Sequence, residues 1–459
     1  MINKYKDNNK VFSFFNKSEI DKKENIYTIL VGKNGTGKSR LLKSVIENII
    51  GQTDHRGMYS RKRKIEVSSN LEVIIEPAQI IAISTSPFDK FPIDRYTNND
   101  KDEKYSYLGL RNLSSLDLGK AYMSNVFFSL VKSIVFLGQD VSKILKILEY
   151  LGYDGVLNAR CRVTISKSFM NEILDSSNPM NSFLEYLNKE NGLPFSMRRI
   201  NRDYFKIKNK NNEFIFSEEK ISSFLNFYKK YIMNMPSSTV TFDLDSEGMY
   251  TDFYMPEFIF EFLNFIDIGF IRLEDIVLNK KEGNSFVISE ASSGEQSIVI
   301  SILGIASKIK DRTLICIDEP EICLHPEWQE KYIDFLITTF KDYKECHFII
   351  ATHSPLIVSS LKDKNCFIMS MEDGIAKNAH ETNKKSVDFQ LANIFGIPGF
   401  KNEYLMREFL SILTLLAKGQ KIDDIQFVNI KKLLELKSFL KDEDPVKKLM
   451  YMTEEALND

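Results

Sequence analysis

The sequence lacks several features that would assign a protein class at once. Its five cysteines among 459 residues form no CxxC pair and no disulfide framework, which indicates reduced cysteines buried in a core. His55, His347 and His380 have no partners at metal-ligand spacing, so the sequence predicts no zinc site. The formal net charge is only −2, which neither indicates nor excludes nucleic-acid binding.

Long apolar runs and repeats are also lacking. No run approaches the ~18 apolar residues that a membrane span needs, and the polar residues 1–9 do not resemble a signal peptide. We therefore expect a cytoplasmic protein without a membrane partner. No heptad run in the middle third is long enough for a coiled coil. An apolar share of 43% is sufficient to bury a large core.

The most informative segment is GKNGTGKS, residues 32–39, between an apolar YTILV run (27–31) and a helically spaced RLLKSVIENII segment (40–50). A strand, a glycine-rich loop and a helix in that order predict a phosphate-binding loop, whose backbone N–H groups point at phosphate oxygens. Lys38 is expected to contact the β- and γ-phosphates, and the Ser39 hydroxyl to bind Mg²⁺. The predicted nucleotide-binding residues of this segment are Asn34, Gly35, Thr36, Gly37, Lys38, Ser39 and Arg40.

Two later segments place polar groups at the ends of apolar runs. TLICID (313–318) is typical of a buried parallel strand, so Asp318 is expected to bind Mg²⁺ and Glu319 to polarise the attacking water. ATHS ends the next apolar strand and places His353 at a carboxyl edge, where open α/β sheets bind ligands. The structural alternatives are acids that cap a strand end and a packed histidine. His325 is expected to be structural, turning the chain into the following helix.

A second glycine turn lies in ASSGEQSIVI, residues 291–300. Ser293 and Gly294 precede an apolar helix, so they form a second helix start at which an anion can bind. The alternative is a plain N-cap with Glu295 nearby. The order of phosphate loop, serine-glycine turn, strand with Asp-Glu and strand with His favours a composite site.

The remaining pattern divides the chain into four predicted parts. Residues 1–120 carry the phosphate loop, 121–280 form a mostly helical insertion, 281–380 carry the turn and both later strands, and 381–459 are helical and expected to bind a partner. A hairpin is predicted around Glu372-Asp373-Gly374, and a long helix is expected to stop at Gly419.

The motif order resembles the ABC-type ATPase heads, and most closely their SMC/RecF/OLD-like branch. Asn34 in the phosphate loop, SSGEQ as a signature, and IDEPEICLHPEW followed by ATHSP carry this resemblance. It implies an α/β P-loop NTPase fold with a mixed sheet flanked by helices. It also implies two heads that sandwich two ATPs, with Ser293, Gly294 and Glu295 completing the partner's site. Asp89 would replace the glutamine that usually contacts Mg²⁺.

A narrower resemblance joins SVDFQLANIFGIPGFKNEYL and YSYLGLR to the stand-alone ATPases of Septu-type anti-phage systems, also found beside some retrons. It implies ATP and Mg²⁺ as ligands, a homodimer, and an HNH-type nuclease as a separate partner through which nucleic acid is reached. The tail after residue 376 lacks the strands and acids of a nuclease domain, so none is expected. The alternatives are a RecF/SMC-type DNA-repair ATPase and, less well fitted, a transporter ATPase subunit.

Overall fold

A computed structural model describes residues 1–7, 10–50, 70–93, 104–111, 118–188, 200–209, 213–252, 256–281, 283, 285–361, 364–381, 385–420 and 422–458. The chain forms two compact units. Unit 1 comprises residues 1–94, 103–111 and 309–459, and unit 2 comprises residues 95–102 and 112–308. The predicted division at residues 120, 280 and 380 stays a proposal.

The described strands are, in chain order, β1 Ile2–Asp7, β2 Lys10–Ser13, β3 Ile26–Val31, β4 Leu71–Val73, β5 Gln79–Ser84, β6 Tyr105–Gly109, β7 Tyr153–Val163, β8 Lys206–Lys208, β9 Phe214–Phe216, β10 Thr239–Asp245, β11 Gly248–Thr251, β12 Ile271–Lys280, β13 Ser285–Val287, β14 Thr313–Asp318, β15 His347–Ala351, β16 Cys366–Ser370 and β17 Ala376–Asn378. The described α-helices are α1 Lys38–Ile50, α2 Leu118–Leu137, α3 Val141–Tyr150, α4 Lys167–Leu174, α5 Pro179–Asn188, α6 Glu218–Phe227, α7 Pro256–Phe265, α8 Ser293–Ala306, α9 Pro326–Thr339, α10 Pro355–Ser359, α11 Val387–Asn393, α12 Glu403–Ala417, α13 Asp424–Leu434 and α14 Pro445–Asn458.

Unit 1 is built on a seven-stranded sheet in the order β17-β16-β3-β15-β14-β5-β6. Every neighbouring pair is parallel except β16 and β17, which form the predicted antiparallel hairpin around Gly374. Strands β3, β5, β14 and β15 are buried at every residue, as their continuous apolar runs predict for parallel strands covered on both faces. Their carboxyl ends therefore meet at one edge of the sheet.

The amino-terminal strands of unit 1 form a second, antiparallel sheet in the order β2-β1-β4. Its Ile2 and Tyr5 share one hydrophobic core with Leu42 and Val45 of α1. Helix α1 buries seven of its residues on one side, in keeping with the helical spacing of its apolar residues. This core holds α1, and the phosphate loop at its start, against the parallel sheet.

The carboxyl-terminal helices α11 to α14 also belong to unit 1 and have a core of their own. Leu405 and Phe409 of α12 pack with Val446 and Met450 of α14 in this cluster. The predicted end of the long helix is confirmed, because α12 ends at Ala417 and Gly419 adopts a left-handed φ of 67°.

Unit 2 contains α2 to α8 and a five-stranded antiparallel sheet in the order β11-β10-β7-β12-β13. The alternating sequences RCRV (160–163) and TVTFDLD (239–245) lie in the adjacent strands β7 and β10. Strands β12 and β13 pair with each other in antiparallel orientation. Edge-to-face and tilted aromatic rings join Phe224, Phe227, Phe265 and Phe270, a geometry that aromatic pairs prefer.

Helix α2 corrects the expectation that no segment is long and apolar enough for a membrane span. Its residues Gly119–Leu137 have a mean hydropathy of 1.2, and 44% of this stretch is buried within the protein. Phe127 packs edge-to-face on Phe242 and Lys132 pairs with Asp267 at 2.9 Å. These contacts are those of a core helix in a folded unit. Such a helix can be as long and as apolar as a membrane-spanning one.

The cysteines are placed largely as expected. Cys161, Cys316, Cys346 and Cys366 are buried, which confirms them as core residues. Cys323 is exposed and corrects that expectation. It lies in the turn after β14, where its φ of 70° is left-handed.

Candidate functional site

Three adjacent parallel strands of unit 1 bring the predicted catalytic segments together. Strand β15 lies between β3 and β14, and Asp318 is in register with Ala351, which is in turn in register with Leu30. The three strands therefore end within one residue of each other, since β3 continues only to Val31. The phosphate loop follows β3, and the Asp-Glu and ATHS segments begin at the last residues of β14 and β15, so side chains far apart in sequence meet at one sheet edge.

Glycines allow the phosphate loop to curl. Gly37 has a φ of 95°, which L side chains rarely adopt. A Cβ atom at Gly32 would come within 2.9 Å of Thr36 Oγ1, so a larger residue there would force the loop open. Thr36 Oγ1 donates a hydrogen bond to the carbonyl oxygen of Lys33 at 2.9 Å, which closes the loop internally.

Lys38 lies at the centre of the cluster and is only 5% exposed. Its ammonium group donates to the carbonyl oxygen of Gly32 at 2.8 Å and lies 3.3 Å from Nδ1 of His353. Burial lowers the pKa of Lys38 to about 8, against the opposing pull of the carboxylates of Glu319, Glu321 and Asp318. The ammonium is therefore charged at neutral pH and poorly hydrated, a state that favours binding of an anion.

Ser39 and Asp318 meet directly. The Ser39 hydroxyl donates to Oδ1 of Asp318 at 3.0 Å, and the Asp318 side chain is almost fully buried. Burial raises the pKa of Asp318 to about 7; the Ser39 hydrogen bond opposes this shift, and the charge of Glu319 adds to it. A buried carboxylate beside other acids is stabilised by a cation, and hydroxyl and carboxylate oxygens are ligands that Mg²⁺ accepts.

Glu319 follows Asp318 in a backbone conformation that is uncommon for a residue with a side chain. Its φ is 51°, and its N–H donates to the carbonyl oxygen of Ala351 at 2.9 Å. Left-handed non-glycine residues cost energy and often occur at functional sites. One carboxylate oxygen of Glu319 lies 3.9 Å from Nε2 of His353. The turn therefore places a carboxylate next to the histidine of the neighbouring strand.

The ring of His353 lies between Lys38 and Glu319, and its protonation follows from those neighbours. Burial and the charge of Lys38 lower the pKa of His353 to about 4, so the ring is neutral at pH 7. Since an ammonium only donates, Nδ1 must accept from Lys38 and the ring proton must be on Nε2. Nε2 is thus a hydrogen-bond donor on the side that faces Glu319.

Glu321 was not predicted from the sequence but belongs to the same cluster. Its carboxylate accepts hydrogen bonds from the Thr352 hydroxyl at 2.8 Å and from the N–H of His353 at 2.5 Å. Burial raises the pKa of Glu321, and the backbone hydrogen bond from His353 opposes that shift. The repeated acid in DEPE is the only sequence signal that pointed to it.

Lys33 joins the phosphate loop to the carboxyl-terminal helices of unit 1. Its ammonium group lies 4.1 Å from the centre of the Phe439 ring, within the range of a cation–π interaction. A Cβ atom at Gly396 would lie 3.6 Å from Cε of Lys33. Because Lys33 and Phe439 are hundreds of residues apart, no sequence pattern indicated this contact.

Asp89 lies in the loop after β5 and is buried. One carboxylate oxygen pairs with Arg111 at 3.0 Å, and the other accepts from the Tyr107 hydroxyl at 2.7 Å. Both oxygens thus have protein partners. Its assignment as a Mg²⁺ ligand stays a prediction.

The serine-glycine turn lies in unit 2 at the start of α8. Ser292 is the N-cap: its side chain accepts from the N–H of Glu295 at 3.2 Å, and the Glu295 carboxylate accepts from the N–H of Ser292 at 3.3 Å. This capping box accounts for Glu295. Ser293 is exposed and Gly294 is buried, and their role in a nucleotide site stays a prediction. His325 caps α9, as its structural interpretation predicted.

The residues of unit 1 fit a Mg²⁺–nucleotide triphosphate. A glycine loop begins α1, a buried ammonium lies inside it, and a hydroxyl–carboxylate pair stands beside it. Backbone N–H groups at a helix start and a lysine bind phosphates. Hydroxyl and carboxylate oxygens suit the metal.

Comparison with known sequences supports this chemistry. Residues 167–359 match the AAA_21 family, described as "AAA domain, putative AbiEii toxin, Type IV TA system". The chain is 23% identical over 379 residues to "Retron Ec83 probable ATPase" of Escherichia coli, covering 74% of this chain and 66% of that protein. It is 27% identical over 97 residues to "Retron Vc95 probable ATPase" of Vibrio cholerae serotype O1 biovar El Tor, covering 21% and 18%. The chain thus spans less than two thirds of the length of either relative.

Solved structures with some similarity include an Smc head bound to the C-winged helix domain of ScpA, at 14% identity and a TM-score of 0.26 over 82% of this chain and 97% of that one. An ATP-binding cassette of an ABC transporter in its ADP conformation gives 12% identity and a TM-score of 0.26 over 84% and 87%. TM-scores this low do not define a fold. The fold is defined here by the order of the strands. The parallel sheet with a glycine loop between strand and helix is that of a P-loop nucleotide-binding fold, and both sequence relatives are named probable ATPases.

Proposed function

We propose that this protein binds ATP with Mg²⁺ at the edge of the parallel sheet and hydrolyses it. The observation that carries the proposal is the convergence of Lys38, Ser39, Asp318, Glu319 and His353 from three adjacent strand ends. Such a cluster combines phosphate binding, metal ligation and activation of water in one place.

The phosphate loop holds the triphosphate. The N–H groups at the start of α1 and the Lys38 ammonium bind its oxygens, and Ser39 with Asp318 would hold Mg²⁺. The metal, when bound, neutralises charge on the phosphate oxygens. Because the Asp318 carboxyl is buried, few water molecules can displace it as a ligand of the metal.

Glu319 and His353 act on the terminal phosphate and the attacking water. The Nε2–H of His353 donates to an oxygen of the γ-phosphate or orients the water, since its Nδ1 is engaged by Lys38. The Glu319 carboxylate accepts a hydrogen bond from the water and draws off its proton. Its turn after β14 is tied to β15 by the hydrogen bond from Glu319 to Ala351.

We further propose that two copies of the chain close around two ATPs, with Ser293 and Gly294 of each completing the site of the other. The start of α8 offers N–H groups and a helix dipole to a γ-phosphate. ATP binding would then favour the dimer and hydrolysis would release it.

The retron names of the sequence relatives support a role in anti-phage defence. In that role the dimer would regulate a separate effector nuclease, of HNH type, docked on the helices of residues 381–459. Co-purification with the products of neighbouring genes tests this part. Absence of any effector from both the complex and the operon would contradict it.

The test of the catalytic proposal is Glu319→Gln. The amide keeps the shape of the side chain but accepts no proton, so ATP binding should persist while kcat falls by a factor on the order of 10² to 10⁴. Single-turnover measurements should show slow hydrolysis of bound ATP, and light scattering with ATP should show a dimer that does not dissociate. Glu330→Gln, at an exposed position on α9, is the control. Normal hydrolysis by Glu319→Gln would show that the base is assigned wrongly.

A further inference from the structure

Glu321 connects the two loops that carry the catalytic residues. It lies two residues after Glu319, and its carboxylate accepts from the N–H of His353 at 2.5 Å and from the Thr352 hydroxyl at 2.8 Å. Its side chain thus spans from the loop after β14 to the loop after β15. Both oxygens have protein donors in this arrangement, so Glu321 is not placed as a second base.

The two loops diverge beyond the last paired residues of their strands. After β14 the chain turns towards α9, and after β15 it turns towards α10, so regular strand pairing ends at Asp318 and Ala351. Beyond that register the Glu321 carboxylate is a principal link. Thr352 Oγ1 also accepts from the N–H of Ser354 at 2.9 Å, and the Ser354 hydroxyl donates to Gln329 of α9 at 2.7 Å. Together these bonds form a chain from Glu321 back to α9.

We propose that Glu321 is a positioning residue that fixes the backbone of His353 and thereby aims its imidazole at the reacting phosphate. The inference rests on the proposed role of His353 in ATP hydrolysis. Glu321 acts through the N–H of His353, whereas Glu319 acts on the water.

The geometry around the ring makes this control consequential. The imidazole has Lys38 at 3.3 Å on one nitrogen and Glu319 at 3.9 Å from the other. A small movement of the His353 backbone would lose the first contact and turn Nε2 away. Misplacement of a catalytic group by about 1 Å costs a factor on the order of 10² in rate. A hydrogen bond from a backbone N–H to a carboxylate is strong enough to prevent that movement.

A purely structural role for Glu321 makes a different prediction. Loss of its carboxylate would then leave the N–H of His353 and the Thr352 hydroxyl without their acceptor and destabilise unit 1 as a whole. Stability and ATP binding would fall together, and the loss would not depend on which side chain stands at position 353. A double-mutant cycle separates the two roles.

The experiment compares the full-length wild-type protein with Glu321→Ala, His353→Ala and the double variant. Steady-state kcat, the Kd of a fluorescent ATP analogue and thermal melting are measured for each. We expect Glu321→Ala to lower kcat by a factor on the order of 10 to 100 with the Kd unchanged. In the His353→Ala background the same change should have no further effect on kcat.

Glu321→Gln is the conservative variant and decides the matter if Glu321→Ala does not fold. Its one carbonyl oxygen can still accept a single hydrogen bond, but its amide group cannot replace the second acceptor oxygen, so kcat should fall several-fold with the Kd unchanged, and this loss should disappear in the His353→Ala background. Glu330→Ala, an exposed position on α9, should match wild type.

The inference is overturned by any of the following results. The first is an additive loss of kcat in the double variant, and the second is a loss of ATP affinity equal to the loss of rate. The third is a Glu321→Gln variant with wild-type kcat when Glu321→Ala does not fold. If His353→Ala itself hydrolyses ATP at the wild-type rate, the proposed role of His353 fails and this inference fails with it. If Glu321→Ala hydrolyses ATP at the wild-type rate while His353→Ala does not, the role of His353 stands and only the role of Glu321 is refuted.

Discussion

His347, at the start of β15, should make unit 1 lose stability in acid. The ring is completely buried, and burial together with the nearby N-terminal amino group lowers its pKa well below 6.5. Its nitrogens are both used: the N–H of Ile2 donates to Nδ1 at 3.2 Å, and Nε2 lies 3.0 Å from Thr28 Oγ1. Because the Thr28 hydroxyl donates to the carbonyl oxygen of Phe14, Nε2 must donate to it. A second proton on Nδ1 would therefore face the N–H of Ile2.

The sign and size of the effect follow from linkage. A histidine whose pKa is lowered on folding binds its proton more readily in the unfolded chain. The free energy of unfolding is therefore unaffected by this histidine well above pH 6.5, and it decreases as the pH falls below that value. While the folded ring stays unprotonated, one such group lowers the free energy of unfolding by at most about 1.4 kcal/mol for each pH unit below 6.5.

Urea titrations at several pH values test this, with the fluorescence of Trp328 as the signal. Trp328 is the only tryptophan and lies on α9 of unit 1, so it reports that unit alone. His347→Gln removes the titrating group, and other groups that titrate in this range, such as His353, are present in both proteins. The wild type should lose stability more steeply than the variant between pH 7.5 and 4.5. Parallel pH profiles would refute the assignment of a neutral, doubly bonded ring.

The remaining predictions concern the site. His353→Ala removes the Nε2 donor and should lower kcat by a factor on the order of 10² to 10³, while His353→Gln, which retains a donor, should lose less; equal rates in the two variants would contradict the tautomer inferred from Lys38. Asp89→Asn breaks its buried pair with Arg111 and should lower the free energy of unfolding by about 3 kcal/mol in thermal or urea melts. A raised Mg²⁺ requirement at unchanged stability would instead support Asp89 as a metal ligand.

The central site was predictable because each part has a local signature. A glycine loop between strand and helix, and apolar runs that end in Asp318 and His353, specify strand ends without any long-range information. Parallel strands align their carboxyl ends, so the meeting of these segments follows from the fold class. The mostly helical character of residues 121–280 was also predictable, although the strands β7, β10 and β12 could not be paired into a sheet from their patterns alone.

The parts that sequence could not supply depend on contacts between distant segments. In the sequence, Glu321 is one acid among several. Its contacts with Thr352 and His353 can be recognised only once β14 and β15 are known to be neighbours. Phe439 lies in a polar-looking helical stretch, and its contact with Lys33 depends on how the last helices fold back on the loop. Asp89 was considered for Mg²⁺ because of its place after β5, but Arg111 and Tyr107 became visible as its partners only in three dimensions.

The most direct test of the central claim mixes two inactive proteins. Lys38→Ala should fail to bind ATP productively, and Ser293→Arg should bind ATP without hydrolysing it. Mixed without ATP so that subunits exchange, half of the dimers carry one variant of each kind, and each such dimer has one intact composite site. The account predicts recovery of up to about a quarter of the wild-type ATPase rate. A mixture that stays inactive although mixed dimers form, or a Ser293→Arg protein that hydrolyses ATP normally alone, would contradict a site completed by a second copy of the chain.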